Sequence, residues 1–175
     1  VASGSRYGEV IVAIGDLDGN GATDFVANAL NDGDVALTEG AVYVTLMDVW
    51  SSSSDQMLNI VKFQQDSGDP LHPVAGSYFG SSLAFGGKHD GITHLIVGER
   101  GFDDTVNSND GALHHLYLDE NVEMQNYHFV AEPVLDVSFG VTERFGAGVM
   151  TGYFDNDGIR DVVAVGKQRL WFMPG

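Results

Sequence analysis

The chain has 175 residues, 43% apolar and 19% charged, which is enough apolar surface for a sizeable core and too little charge for a disordered chain. Its formal net charge is −17, with 8 Lys and Arg against 25 Asp and Glu. That balance argues against nucleic acid or anionic lipid as a partner, because phosphate binding depends on clustered cations. No cysteine is present, so this stretch has neither a disulfide framework nor a thiolate site, and it has no run of about 18 apolar residues.

From the N-terminus, Tyr7-Gly8 leads into the β-branched run Glu9-Val10-Ile11-Val12-Ala13-Ile14, and Phe25-Val26-Ala27 forms a second apolar run. Neither has helical periodicity, so both are predicted as strands. Between them lies Asp16-Leu17-Asp18-Gly19-Asn20-Gly21-Ala22-Thr23-Asp24. Oxygen-bearing side chains fall at positions 1, 3, 5 and 9 of this loop, Ala22 at position 7 offers a backbone carbonyl, and Gly21 permits a sharp turn. A hard cation such as calcium takes six to eight oxygens, and alternate residues of a short loop can supply them. An EF-hand also needs a bidentate Glu at position 12, where this chain has Ala27. The alternative reading is a solvated Asp/Asn/Gly hairpin turn that binds nothing.

The unit recurs. Phe79-Gly80 begins a second copy and Phe145-Gly146 a third, 72 and 66 residues on. In the first copy Gly40-Ala41-Val42-Tyr43-Val44 and Met57-Leu58-Asn59-Ile60-Val61-Lys62-Phe63 follow the loop's second strand. The second copy has Leu95-Ile96-Val97-Gly98, then Gly111 to Leu118, then Val122 to Phe129. The third has Val162 to Gly166 and Arg169 to Met173, and no fourth strand. Four short strands per copy predict the blades of an all-β, antiparallel propeller: about 5–66, about 77–132, and about 143–175 without its outer strand.

Aligned on Gly21, Gly91 and Gly158, the third loop keeps Asp155, Asp157, the Ile159 carbonyl and Asp161 at positions 3, 5, 7 and 9 but has Tyr153 at position 1. It is predicted to be a second, weaker calcium site. The second loop has Lys88 where the first has Asp18, and His94 where it has Asp24. It is predicted to have lost the metal and kept the hairpin, with Lys88 as a tethered substitute cation.

These motifs, Phe-Gly, the calcium loop and Gly-Ala-Val-Tyr-Val, resemble the FG-GAP repeat of integrin α-subunit β-propellers and of many secreted repeat proteins, over nearly the whole chain. The departures are Tyr7 for Phe, Tyr153 at position 1 of the third loop and the missing ligands of the second. The resemblance implies that Asp16, Asp18, Asn20, Ala22 and Asp24 bind a calcium ion that braces the blade. It implies recognition on the opposite face, through the loops 28–39 and 99–110, which offer Asp32, Asp34, Asp103, Asp104, Asn109 and Asp110. Three blades leave two open edges, so further blades of the parent chain, or partner chains, are expected.

The function expected on this basis is a calcium-stabilised extracellular module, secreted or on a cell-surface ectodomain, for adhesion or for recognition of a protein or glycan. The alternative is a non-catalytic propeller segment of a secreted hydrolase or lyase. No nucleophile elbow, phosphate-cradling Gly-rich loop or HExxH motif appears, so the segment itself is not expected to be an enzyme. His114 and His115 must face opposite sides of a strand, which disfavours a joint metal site. Tyr43, Tyr117, Trp171 and Phe172 are expected in the inter-blade core, and Trp50 as an exposed contact.

Overall fold

The computed structural model describes residues 4–32, 38–49, 57–64, 76–103, 110–131 and 143–175. Within them the chain is all-β. Strands β1 (Tyr7–Gly15), β2 (Asp24–Ala29), β3 (Ala41–Met47) and β4 (Met57–Gln64) form one antiparallel sheet in sequential order. Strands β5 (Phe79–His89), β6 (Ile92–Glu99), β7 (Ala112–Leu118) and β8 (Met124–Val130) repeat that order in a second sheet. Strands β9 (Gly148–Gly152), β10 (Asp161–Val165) and β11 (Leu170–Met173) make a three-stranded third sheet with β10 central.

The sheets stack in chain order. β5 lies against β1, β2 and β3, and β9 lies against β5 and β6. Residues whose side chains alternate along each strand therefore serve two interfaces. Ile14, Leu17, Val26, Val42, Val44 and Leu46 of the first sheet pack with Phe79, Leu83, Leu95, Val97, Leu116 and Leu118 of the second. The other face of the second sheet supplies Ala84, Ile96 and Leu113, which pack with Phe145 and Ala164. Trp171 joins that core, its ring edge-to-face with Phe145 at a centroid distance of 4.8 Å. The expectation that third-strand aromatics sit in the inter-blade core holds for Trp171, whereas Tyr43 is buried with Ala29 and Ala41 of its own sheet, on the face opposite Val42 and Val44. The expectation fails for Phe172, which alternation turns outward and leaves 45% exposed.

The Phe-Gly dipeptide is what joins one sheet to the next. The Phe79 N–H donates to the Glu39 carbonyl at 2.7 Å, and the Phe145 N–H to the Asp110 carbonyl at 2.7 Å. In all three copies the residue before the aromatic (Arg6, Tyr78, Arg144) is left-handed, at φ 56°, 56° and 58°. Phe79 and Phe145 are fully buried, each seated over the glycine that opens the preceding sheet's third strand. A Cβ on Gly40 would run into the Phe79 backbone, and one on Gly111 into the Phe145 backbone, so glycine there is a requirement of close backbone approach. Side chains close the joint further. Asn28 Nδ2 donates to the Gly80 carbonyl at 2.8 Å, and Ser82 Oγ to the Gly146 carbonyl at 2.8 Å.

Candidate metal centre

The first loop joins β1 to β2, and its turn is built by its own carboxylates. Asp16 accepts from the Gly19 and Gly21 N–H groups, both at 2.8 Å, and Asp18 Oδ1 accepts from the Asn20 N–H at 3.1 Å. Asn20 Oδ1 accepts from the Ala22 N–H at 2.7 Å, while its amide nitrogen donates to the Met47 carbonyl at 2.7 Å. These are Asx turns, in which a side-chain oxygen replaces a backbone acceptor and coils the chain inward. Asp24 is fully buried at the start of β2 and accepts from the Leu17 N–H at 2.7 Å and the Met47 N–H at 2.8 Å. One oxygen each from Asp16, Asp18 and Asp24 converge within 4.8 Å of one another.

The third loop, between β9 and β10, repeats the part of this pattern that surrounds the last aspartate and positions 3 and 5. Asp161 is buried and accepts from the Phe154 N–H at 2.6 Å and the Gly175 N–H at 3.1 Å, as Asp24 does from Leu17 and Met47. Asp155 accepts from the Asp157 N–H, and Asp157 from the Ile159 N–H. Asp155, Asp157 and Asp161 also bring their oxygens within 4.8 Å. Tyr153 stands where Asp16 stands in the first loop. It is 56% exposed and lies under the Arg160 guanidinium, 4.9 Å from the ring centre. The first cluster is half-buried to buried, whereas two of the three carboxylates of the second are exposed.

Both clusters fit a hard divalent cation. Three like charges within 4.8 Å repel unless an ion or protons neutralise them, and carboxylate oxygens suit magnesium or calcium rather than softer metals.

The second loop has no such cage. β5 and β6 pair through Lys88↔Thr93 and His89↔Ile92, and the chain reverses through Asp90-Gly91, both left-handed at φ 50° and 82°, the geometry of a tight hairpin turn. Lys88 does not fill its own loop. Its ammonium crosses to the first sheet and donates to the carbonyls of Asp16 at 3.0 Å and Leu17 at 2.9 Å.

At the opposite end of the sheets, Asp32 is buried beside Lys62, whose Nζ lies 3.5 Å away, and the Tyr43 hydroxyl donates to it. Asp110 is buried as well, and Asp103 is half-buried. Asp34, Asp104, Asn109 and Trp50 lie outside the described residues. The sequence reading missed a buried pair behind that face, in which His114 Nε2 lies 2.6 Å from Glu99 and its Nδ1 2.8 Å from the Tyr127 hydroxyl. His114 does face the opposite side from His115, as strand geometry requires. Among the described residues no helix is long and apolar enough to cross a membrane. Scanned against models of known protein families the sequence matches none, and no curated protein matches it.

Proposed function

We propose that the chain is part of an FG-GAP-type β-propeller whose blades are braced by calcium, an extracellular module that recognises a protein or glycan. The observation that carries this reading is that two acidic loops share one frame around a buried aspartate. Asp24 and Asp161, 137 residues apart, hold the corresponding pair of backbone donors, and each stands in a cluster of three converging carboxylates. A solvated turn needs no such repetition. Stacked antiparallel sheets joined by buried Phe-Gly dipeptides supply the blade geometry, and the oxygen-only donor sets match calcium in a compartment where it is plentiful.

Calcium would draw on Asp16, Asp18, Asn20, the Ala22 carbonyl and Asp24 in the first loop, and on Asp155, Asp157, the Ile159 carbonyl and Asp161 in the third. Bound there, it neutralises the clustered carboxylates and locks each β-hairpin. Calorimetric titration with calcium, paired with melting in calcium and in chelator, tests the reading. Two sites with a chelator-sensitive melt are expected. A folded chain that binds no calcium and melts identically in both would overturn it.

A further inference from the structure

The second and third sheets do not fill the space between them as the first and second do. β3 and β7 run in register from Gly40 and Gly111, so that Val44 and Leu46 correspond to His115 and Tyr117. Val44 pairs with Val26, and His115 with the corresponding Ile96. Val44 and Leu46 are buried in the first core. Their counterparts belong to a chain of imidazoles and a phenol on the other side of the second sheet. His115 Nε2 is 3.2 Å from His94 Nδ1, the Tyr117 hydroxyl is 3.2 Å from His115 Nδ1, and His89 meets the His94 ring edge-on at 5.4 Å. Between this row and the third sheet lies a cavity of about 220 Å³, lined by His89, His94, His115, Thr151 and Arg160 on its polar side and by Ile96 and Val162 on its apolar side.

One donor in its wall has no use in the fold. Arg160 Nε is buried and has no acceptor among the described residues, a costly arrangement for a guanidinium N–H. Arg160 and His89 both approach the backbone at Gly87. The point where a Cβ would stand on Gly87 is 3.3 Å from His89 Nε2 and 3.6 Å from Arg160 Nε. Both side chains line the cavity, and a ligand oxygen held inside it has both as hydrogen-bond donors.

We propose that this cavity is a binding site for a small organic carboxylate, its head group between Arg160 and His89 and its body against Ile96 and Val162. A guanidinium recognises a carboxylate through paired N–H donors, and the volume equals that of about seven waters at ~30 Å³ each, room for a compact body behind the head group. A metal ion is the poorer occupant. Among the described residues no three of these histidines bring ligand atoms together as the aspartates do, and the guanidinium repels a cation.

Isotope-labelled chain titrated with isobutyrate by NMR, in buffer containing calcium, tests this. Saturable shifts at Gly87, His89, His94 and the Arg160 Nε–H are expected, at least tenfold weaker for the neutral isobutyramide. Inorganic phosphate run in parallel sorts the head group, and binding weaker than isobutyrate supports a carboxylate. Arg160→Gln is expected to weaken isobutyrate at least tenfold, and His89→Gln serves where the first variant fails to fold. Shifts that do not saturate, an equal response to isobutyramide, tighter binding of phosphate, or undiminished binding by the folded variants would overturn the proposal.

Discussion

Lys88 of the second sheet donates from its ammonium to the Leu17 carbonyl of the first, 2.9 Å away, and to the Asp16 carbonyl at 3.0 Å. A charge placed on one hairpin thus caps the acidic loop of its neighbour. The link engages backbone oxygens and not the converging side-chain oxygens. Lys88→Met removes both hydrogen bonds and should destabilise the chain by about 1 kcal/mol, the net worth of an exposed charge-assisted contact. Thermal melting in chelator reads this without interference from metal. A variant that melts with the unaltered protein would show the link to be without consequence for stability.

The notch beneath each Phe-Gly dipeptide supports a sharper contrast. Gly4 and Gly111 share the same φ of 87°, but a Cβ on Gly4 meets nothing within 4 Å whereas one on Gly111 collides with the Phe145 backbone. Gly4→Ala should therefore cost only the backbone term, about 1 kcal/mol. Gly111→Ala must push the third sheet off the second and should cost at least about 3 kcal/mol. Urea denaturation of the two variants checks the difference, and equal losses would refute a close-packed joint.

The acidic loops were legible from sequence because their order is local. Oxygens at every second residue of Asp16 to Asp24, with a glycine at the turn, dictate the inward coil, and the same spacing from Asp155 to Asp161 dictates its copy. The strands were legible for the same reason. What could not be read were the relationships between sheets. Nothing around Lys88 indicates that its ammonium ends on Leu17, 71 residues away, or that Asp32 is buried beside Tyr43 and Lys62. His115 did carry a signal, a titratable residue at the position where the first copy has Val44. Its meaning depended on knowing which face of the second sheet meets the third.

The two acidic loops differ at position 1, Asp16 against Tyr153, and at position 5, Asn20 against Asp157. Placing a carboxylate at position 1 matches the first loop there, where Asp16 accepts from the Gly19 and Gly21 N–H groups. On the calcium reading, Tyr153→Asp should tighten the weaker site about tenfold, the effect of one more charged ligand. Asp18→Ala should remove the tighter site and leave the weaker one. Calorimetry resolves the two sites. A tighter second site without the Tyr153 change, or one insensitive to it, would reject the position-by-position correspondence.

The imidazole row makes stability depend on pH. Burial first, and then the neighbouring His94 and His128, hold His115 well below the usual imidazole range, at about 4, and His94 is lowered by burial and by His89. Tyr117 stacks on His115, and Arg160, just before β10, lines the same cavity. A neutral His115 in the fold and an ordinary one at 6.5 in the unfolded chain mean that the unfolded state binds more protons between those values. Its contribution is then fully present above about pH 6.5 and lost as pH falls towards 4. Discounted for partial exposure, that contribution is about 1–2 kcal/mol. Chemical denaturation at pH 7.5 and 4.5 should show the loss, and His115→Gln should shrink it. A variant that loses as much stability as the unaltered chain would assign the acid sensitivity elsewhere in the fold.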